Sequence, residues 1–262
     1  MGSLEGKRAV VIGGSSGFGE QIAERFAAEG ARLVLAARGL ERLEPVARRL
    51  DALAVACDIT RYDDVKSLAA SATDRLGGLD VAVNSAGYED MASFESLTPE
   101  RVEPMVAVQF TGALYVIQQM AAAMQTGGSI VTISSLTATL VAEGYAHYAG
   151  AKAGINHASR IAASEYGARG IRVNVVSPTL IETTMTRHLL RAPGVSDAFL
   201  GETPLGRIGR IDDVVGAVVW LSGDESSFVT GQNLHVDGGT SLRRLPRVED
   251  FVRAAARHSD PE

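Results

Sequence analysis

The chain predicts an α/β fold: a doubly wound, seven-stranded parallel sheet with helices on both faces. Three observations carry that prediction. Short β-branched runs alternate with longer segments of helical period, the pattern of βαβ units. Most of those runs are continuously apolar, as strands covered on both faces require. The links between them are short, so successive elements must pack as neighbours.

The first strand, "RAVVIGG" at 8–14, runs straight into the glycine-rich "GGSSGFGE" at 13–20. A helix over 18–29 follows, with Phe18, Ile22, Ala23 and Phe26 on one stripe. Strands "RLVLAA" at 32–37, "ALAVACD" at 52–58 and "LDVAVNSAG" at 79–87 are separated by helices at 40–50 and 63–76. The second half repeats the alternation. A long helix at 99–125 precedes "SIVTISS" at 129–135, and a helix at 148–168 precedes "IRVNVVSP" at 171–178. A last helix at 212–222 leads to "NLHVDGG" at 233–239. Residues 1–240 therefore read as one domain, without internal repeat or linker.

Two stretches break the rhythm. Residues 183–210 form a long insertion with two prolines and four glycines, which reads as a lid over the substrate. The arginine-rich tail at 241–262 carries a short amphipathic helical pattern and reads as a solvated or subunit-contacting extension.

Composition narrows the partners. The chain has 262 residues, 46% of them apolar, which is enough for one substantial core. A formal charge of −6 argues against nucleic acid or an anionic membrane. The single cysteine, Cys57, has apolar neighbours and reads as a buried structural thiol in a reducing compartment. Neither a signal peptide nor a membrane span is expected, so the reading is a soluble cytoplasmic protein. No metal-ligand cluster is expected.

The glycine loop bears on a ligand. Gly13, Gly17 and Gly19 let the backbone turn tightly between strand and helix, with Ser15, Ser16 and Phe18 between them. The helix start offers free N–H groups and a positive dipole end to a pyrophosphate, so this loop reads as dinucleotide-binding. At the end of the second strand stands Arg38, following the neutral Ala37, where a carboxylate would favour NAD. That favours NADP(H), with NAD(H) possible. Asp58 ends the third strand, before Ile59, and suits either an adenine amino group or a helix cap.

The run "EGYAHYAGAKAGINHASR" places Lys152, one of only three lysines, four residues after Tyr148. On a helix the two share a face, and a neighbouring ammonium would lower the phenol's pKa toward useful proton exchange. An ordinary surface pair would look the same.

Taken together, these motifs give the chain its resemblance to a compact short-chain dehydrogenase/reductase, from about residue 6 to 240. Those that carry it are Gly13-Gly-Ser-Ser-Gly17-Phe-Gly19, Asp58, "NSAG" at 84–87, "ISS" at 133–135, Tyr148-x-x-x-Lys152, Pro178 with Thr183, and "VDGG" at 236–239. The resemblance implies a Rossmann-type fold and hydride exchange between a nicotinamide and a ketone or secondary alcohol. Tyr148 would be the general acid and base, Lys152 would lower its pKa and bond the nicotinamide ribose, and Ser135, rather than its neighbour Ser134, would polarise the carbonyl. Ser15, Ser16, Phe18 and Ile59 would join the glycines around the coenzyme, Asn84, Ala86 and Gly87 would line the adenosine ribose, and Pro178, Ile181 and Thr183 would border the nicotinamide. A simple helix cap is the other reading of Thr183. Two positions depart from the family pattern. Gln109 stands where an asparagine holds a relay water beside the lysine, and Thr179 follows Pro178 where glycine is common. Tyr145 reads as a pocket wall, and His147 and His188 as packed or solvated. The family usually forms tetramers through 148–168 and 212–239, and the stripe Val214, Val215, Val218, Val219 and Trp220 suits either such an interface or the core. The resemblance also leaves two alternatives to a small-ketone enzyme. One is a 3-oxoacyl-carrier-protein reductase, with Arg187, Arg191, Arg207 and Arg210 meeting an acidic carrier. The other is a dinucleotide sensor without turnover.

Overall fold

A computed structural model describes residues 2–183 and 186–256. Seven parallel strands form one sheet: β1 Arg8–Ile12, β2 Arg32–Ala37, β3 Leu53–Ala56, β4 Val81–Asn84, β5 Gly128–Ile133, β6 Ile171–Pro178 and β7 Asn233–Val236. Their order is β3-β2-β1-β4-β5-β6-β7. The chain winds outward from β1 to β3, returns to β4 beside β1, then winds the other way. Strand order therefore reverses between β1 and β4, where a crevice opens at the carboxyl ends. Register aligns those ends: Ile12 pairs with Ala36 and with Asn84, and Asn84 pairs with Thr132.

The helices are α1 Gly17–Ala28, α2 Leu40–Arg49, α3 Tyr62–Leu76, α4 Pro99–Val106, α5 Ala113–Ala123, α6 Ala146–Tyr166, α7 Arg187–Leu190, α8 Val195–Glu202, α9 Ile211–Ser222 and α10 Val248–Ala256. Alternation along each strand divides the core in two. Val10 and Ile12 face Leu68 of α3, Val116 and Met120 of α5 and Ile155 of α6. Ala9 and Val11 face Ile22 and Phe26 of α1, Leu43 of α2 and Val218 of α9. Both faces of the strands are thus buried, which explains their uninterrupted apolar sequence.

Two sequence expectations change here, and the choice for the 214–220 stripe narrows. The helix expected at 99–125 is interrupted by a wide π-type turn at Ala107–Gly112 that carries Gln109 inward. The whole run Pro99–Ala123 is nevertheless long and apolar enough to cross a membrane, contrary to the expectation that none would be. Its apolar side is instead core, with Met105, Ala113, Val116, Ile117 and Met120 buried. The valines of the 214–220 stripe are likewise core, packed with α1, and only Trp220 is exposed.

The tail does not extend into solvent. Its helix α10 lies on α8 of the lid, with Phe251 stacked on Phe199 at 6.2 Å between ring centroids. Arg243 donates to the carbonyl of Gly201 at 2.6 Å, and Arg244 pairs with Glu202 at 3.0 Å. The amphipathic period was legible, but its partner, another amphipathic segment fifty-odd residues earlier, is a tertiary choice. In the lid the first described helix, α7, begins at Arg187, and Thr184 and Met185 lie outside the described residues.

Candidate active site

A cavity of about 600 Å³ lies along the carboxyl ends of the strands, at the reversal of strand order. Its floor begins at the glycine loop. Gly13 has φ +84°, and a Cβ there would lie 2.8 Å from the Ser85 hydroxyl and 2.9 Å from the Ala86 nitrogen. Gly19 lets α1 pack against that turn, since its Cβ would meet the Gly13 carbonyl oxygen at 2.1 Å. Gly17, at φ +56°, has nothing within 4 Å of where a side chain would begin. Ser15, Ser16, Gly17 and Phe18 line the cavity, and no side chain caps the first turn of α1. Its N–H groups are therefore left to face a ligand.

At the far end, Arg38 is joined by Arg42 of α2, a residue that the sequence reading missed because its role depends on how α2 folds back. Burial alone would raise the Asp58 carboxyl. Bonds from the Thr60 hydroxyl at 2.8 Å and the Thr60 N–H at 3.0 Å, with Arg38 and Arg61 nearby, outweigh it and hold Asp58 below the ordinary carboxylate value. Asp58 thus caps a turn and also lines the cavity beside Ile59. Ala86 and Gly87 reach the wall, whereas Asn84 is buried behind it and accepts the Ala86 N–H at 3.2 Å.

The reacting end is built from β5 and α6. Ser135 lies two residues beyond Ile133, the last residue of β5, and its hydroxyl neighbours the Tyr148 phenol on the cavity wall. The Thr137 hydroxyl donates to Ser135 at 3.0 Å, which turns the serine's own proton toward the phenol. Thr137 was not foreseen, since only the short turn after β5 brings it back. The buried ammonium of Lys152 lies 5.8 Å from the centre of the Tyr148 ring and donates to the Ile133 carbonyl at 2.8 Å.

The electrostatics correct one expectation. Burial holds the Tyr148 phenol above its ordinary value despite the lowering influence of Ser135, with Glu89 and Tyr145 adding to the rise. Burial lowers the Lys152 ammonium to about 7. Enclosure outweighs the attraction expected from the helical spacing alone, so the phenol is fully protonated at neutrality.

Gln109 lies in the π-type turn at Ala107–Gly112. Its Nε2 donates to the Tyr88 carbonyl at 2.6 Å, and its buried Oε1 has no protein partner among the described residues. It props the Gly87–Tyr88 wall, and its bond is to that wall, not to Lys152. Pro178, Ile181 and Thr183 all line the cavity, as expected. The Thr183 hydroxyl also accepts the Thr186 N–H at 3.2 Å, closing the turn before α7, whose N-cap is Thr186.

A second group behind the wall escaped the sequence. Arg101 holds Asp90 with two bonds, at 2.7 and 2.6 Å, and Asp90 lies 3.1 Å from the buried His147. The Arg101 bonds, with that of His147, lower the Asp90 carboxyl to about 2. The residues come from three separated segments, so no local motif announces them. Together they tie the loop after β4 to α4 and α6, and so position Tyr148.

Residues 13–241 match the family model described as "Enoyl-(Acyl carrier protein) reductase". The structure of a short-chain type dehydrogenase/reductase from Mycobacterium ulcerans superposes with a TM-score of 0.90 at 30% identity, covering 93% of this chain and 92% of that one. This chain belongs to the short-chain dehydrogenase/reductase family. An uncharacterized oxidoreductase of Mycobacterium bovis is 40% identical over 90% of this chain and 97% of its own length. A gluconate 5-dehydrogenase from Burkholderia cenocepacia, solved with NADP and tartrate, gives a TM-score of 0.88 at 30% identity over 92% of this chain and 97% of that one. As a short-chain dehydrogenase/reductase the chain is an oxidoreductase, and its glycine cradle, open N–H groups and basic far end suit a nicotinamide dinucleotide.

Proposed function

We propose that this chain is an NADP(H)-preferring oxidoreductase that interconverts a small ketone and a secondary alcohol. One observation carries the reading: the Ser135 and Tyr148 hydroxyls share the cavity wall, with the Lys152 ammonium buried 5.8 Å from the phenol ring centre. Two hydroxyls converging on one point suit a carbonyl oxygen, which gains negative charge as its carbon is reduced.

The residues divide the work. Ser135, oriented by Thr137, donates to the carbonyl oxygen. Tyr148, protonated at neutral pH, delivers the proton in reduction and takes it back in oxidation. Lys152, held by the Ile133 carbonyl, supplies the cation that stabilises the phenolate once the proton has left. Gly13, Gly17 and Gly19 with the start of α1 would hold the coenzyme's pyrophosphate, and Asp58, Ile59, Ala86 and Gly87 its adenosine. Arg38 and Arg42 would hold a 2′-phosphate. The bound nicotinamide supplies hydride to the carbonyl carbon or removes it from the alcohol.

Neither alternative is favoured. Arg207 makes two bonds to Asp213, at 2.7 and 2.8 Å, and Arg187 pairs with Glu182, so these cations already have partners within the chain rather than awaiting an acidic carrier. A coenzyme sensor would have no use for an ammonium buried beside a phenol. The reading includes a soluble cytoplasmic homotetramer. Buried Cys57, whose thiol burial pushes up to about 12, and the fully exposed Phe228 near β7 agree with it.

The test is coenzyme absorbance over a panel of ketones and alcohols, with both coenzymes. Tyr148→Phe is expected to lower kcat by about 10²- to 10⁴-fold with coenzyme affinity retained. Undiminished turnover would reject the assignment. Arg38→Ala is expected to weaken NADPH and not NADH, and equal effects on both would remove the coenzyme preference.

A further inference from the structure

Two groups on the cavity wall take no part in the chemistry above. Glu89 lies on the loop after β4, next to the anchored Asp90, and Tyr145 begins α6 three residues before Tyr148. Burial, with the neighbouring Glu89 carboxylate, raises the Tyr145 phenol to about 12. Its ring meets that of Tyr148 edge-on, with centroids 5.9 Å apart and planes at 64°. A carboxyl therefore stands one side chain away from the catalytic phenol, and its charge acts on both tyrosines.

The cavity that holds this pair is lined in part by apolar side chains, among them Met91, Leu189, Phe199, Leu245 and Phe251. A carboxyl among such neighbours is costly unless its oxygens are bonded. Burial raises Glu89 above its ordinary value, against the opposing influence of His188 on the lid. A carboxylate offers roughly four acceptor positions. A substrate that brings its own O–H would meet one of them.

We propose that Glu89 and Tyr145 are the specificity pair of this site, accepting a hydrogen bond from a hydroxyl on the carbon beside the reacting carbonyl. The pair selects hydroxyketones and their diols over plain ketones, and its negative charge, reinforced by Glu143 on the same wall, excludes substrates with a carboxylate there. A site built to bond a hydroxyl rejects the analogue that lacks it, because the buried acceptor is then left unpaired. The proposal rests on the ketone–alcohol reading and adds the substrate class.

Acetoin, butanone and acetoacetate test it, because they share a four-carbon skeleton and differ only in the neighbouring group. The wild-type chain is expected to reduce acetoin with the highest kcat/KM and acetoacetate with the lowest. Glu89→Ala is expected to lower the acetoin-to-butanone ratio by about 10- to 100-fold while changing butanone itself by less than about threefold. Glu89→Gln keeps a hydrogen-bonding oxygen without the charge. It is expected to retain most of that ratio and to raise activity on acetoacetate. Tyr145→Phe, which leaves the carboxylate in place, is expected to give a smaller loss of the ratio. An unchanged ratio in Glu89→Ala, or acetoacetate as the best wild-type substrate, overturns the proposal. Absence of turnover with every ketone would instead defeat the underlying reductase reading. Coenzyme affinity, measured by fluorescence in each variant, separates a selective effect from misfolding, and a variant that has lost coenzyme binding is replaced by Tyr145→Phe as the deciding case.

Discussion

Gly194→Ala tests whether the tail closes the substrate cavity through the lid. Gly194 precedes α8 at φ +77°, and a Cβ there would lie 2.1 Å from the Phe251 carbonyl oxygen and 2.6 Å from the Ala255 nitrogen. The left-handed backbone costs an alanine about 1 kcal/mol. The 2.1 Å approach is far inside van der Waals contact, and both opposing atoms are backbone, so α10 must move as a body. Moving it gives up the Phe199–Phe251 stack, about 0.5–1.5 kcal/mol beyond the buried area. Together these amount to roughly 2 kcal/mol of lost stability in the variant, with α10 displaced from α8 rather than seated on it. Because Leu245, Val248 and Phe251 line the cavity, the expected result is a higher KM for ketone, unchanged coenzyme affinity and faster tryptic cleavage at Arg247 and Arg253. Unaltered cleavage and KM would refute the idea that lid and tail close the site as one unit.

Two further outcomes follow from the active site. Gly17→Ala should leave thermal stability within about 1 kcal/mol, since open space surrounds the new methyl, yet weaken the coenzyme more than about tenfold; an unaffected coenzyme Kd would remove the pyrophosphate from this loop. Burial lowers Lys152 to about 7, so between about pH 7 and pH 10 the folded chain binds fewer protons than the unfolded one and gains stability as pH rises. Below about pH 7 the lysine is charged in both states and the cost is fully present. Lys152→Met should therefore abolish activity but raise Tm most near pH 7, with the gain shrinking toward pH 10. A difference independent of pH would contradict the burial of a titrating ammonium.

The parts of the site that the sequence disclosed share one property: their geometry is local. The glycine loop announces itself because φ values of +84° and +56° at Gly13 and Gly17 suit glycine, and because it joins a strand to a helix. Tyr148 and Lys152 sit one helical turn apart, and Ser135 comes two residues after a strand whose apolar run is plain. What escaped was assembled across distance. Arg101, Asp90 and His147 meet only because α4, α6 and the loop after β4 converge, and Thr137 returns to Ser135 through a turn of two residues. The Gln109 bond to the Tyr88 carbonyl likewise depends on the π-type turn, which no local pattern announced.

Sequence alone determined the strand-and-helix alternation, the parallel sheet and the Ser-Tyr-Lys set, because periodicity and backbone demands are written in neighbouring residues. Only the tertiary structure decided that the tail packs on the lid, that the valines of α9 face the core, and that the phenol's pKa is raised rather than lowered. Those outcomes depend on which apolar surfaces meet and how much water they exclude. Burial is a property of the whole packed chain, and no short stretch of it specifies that.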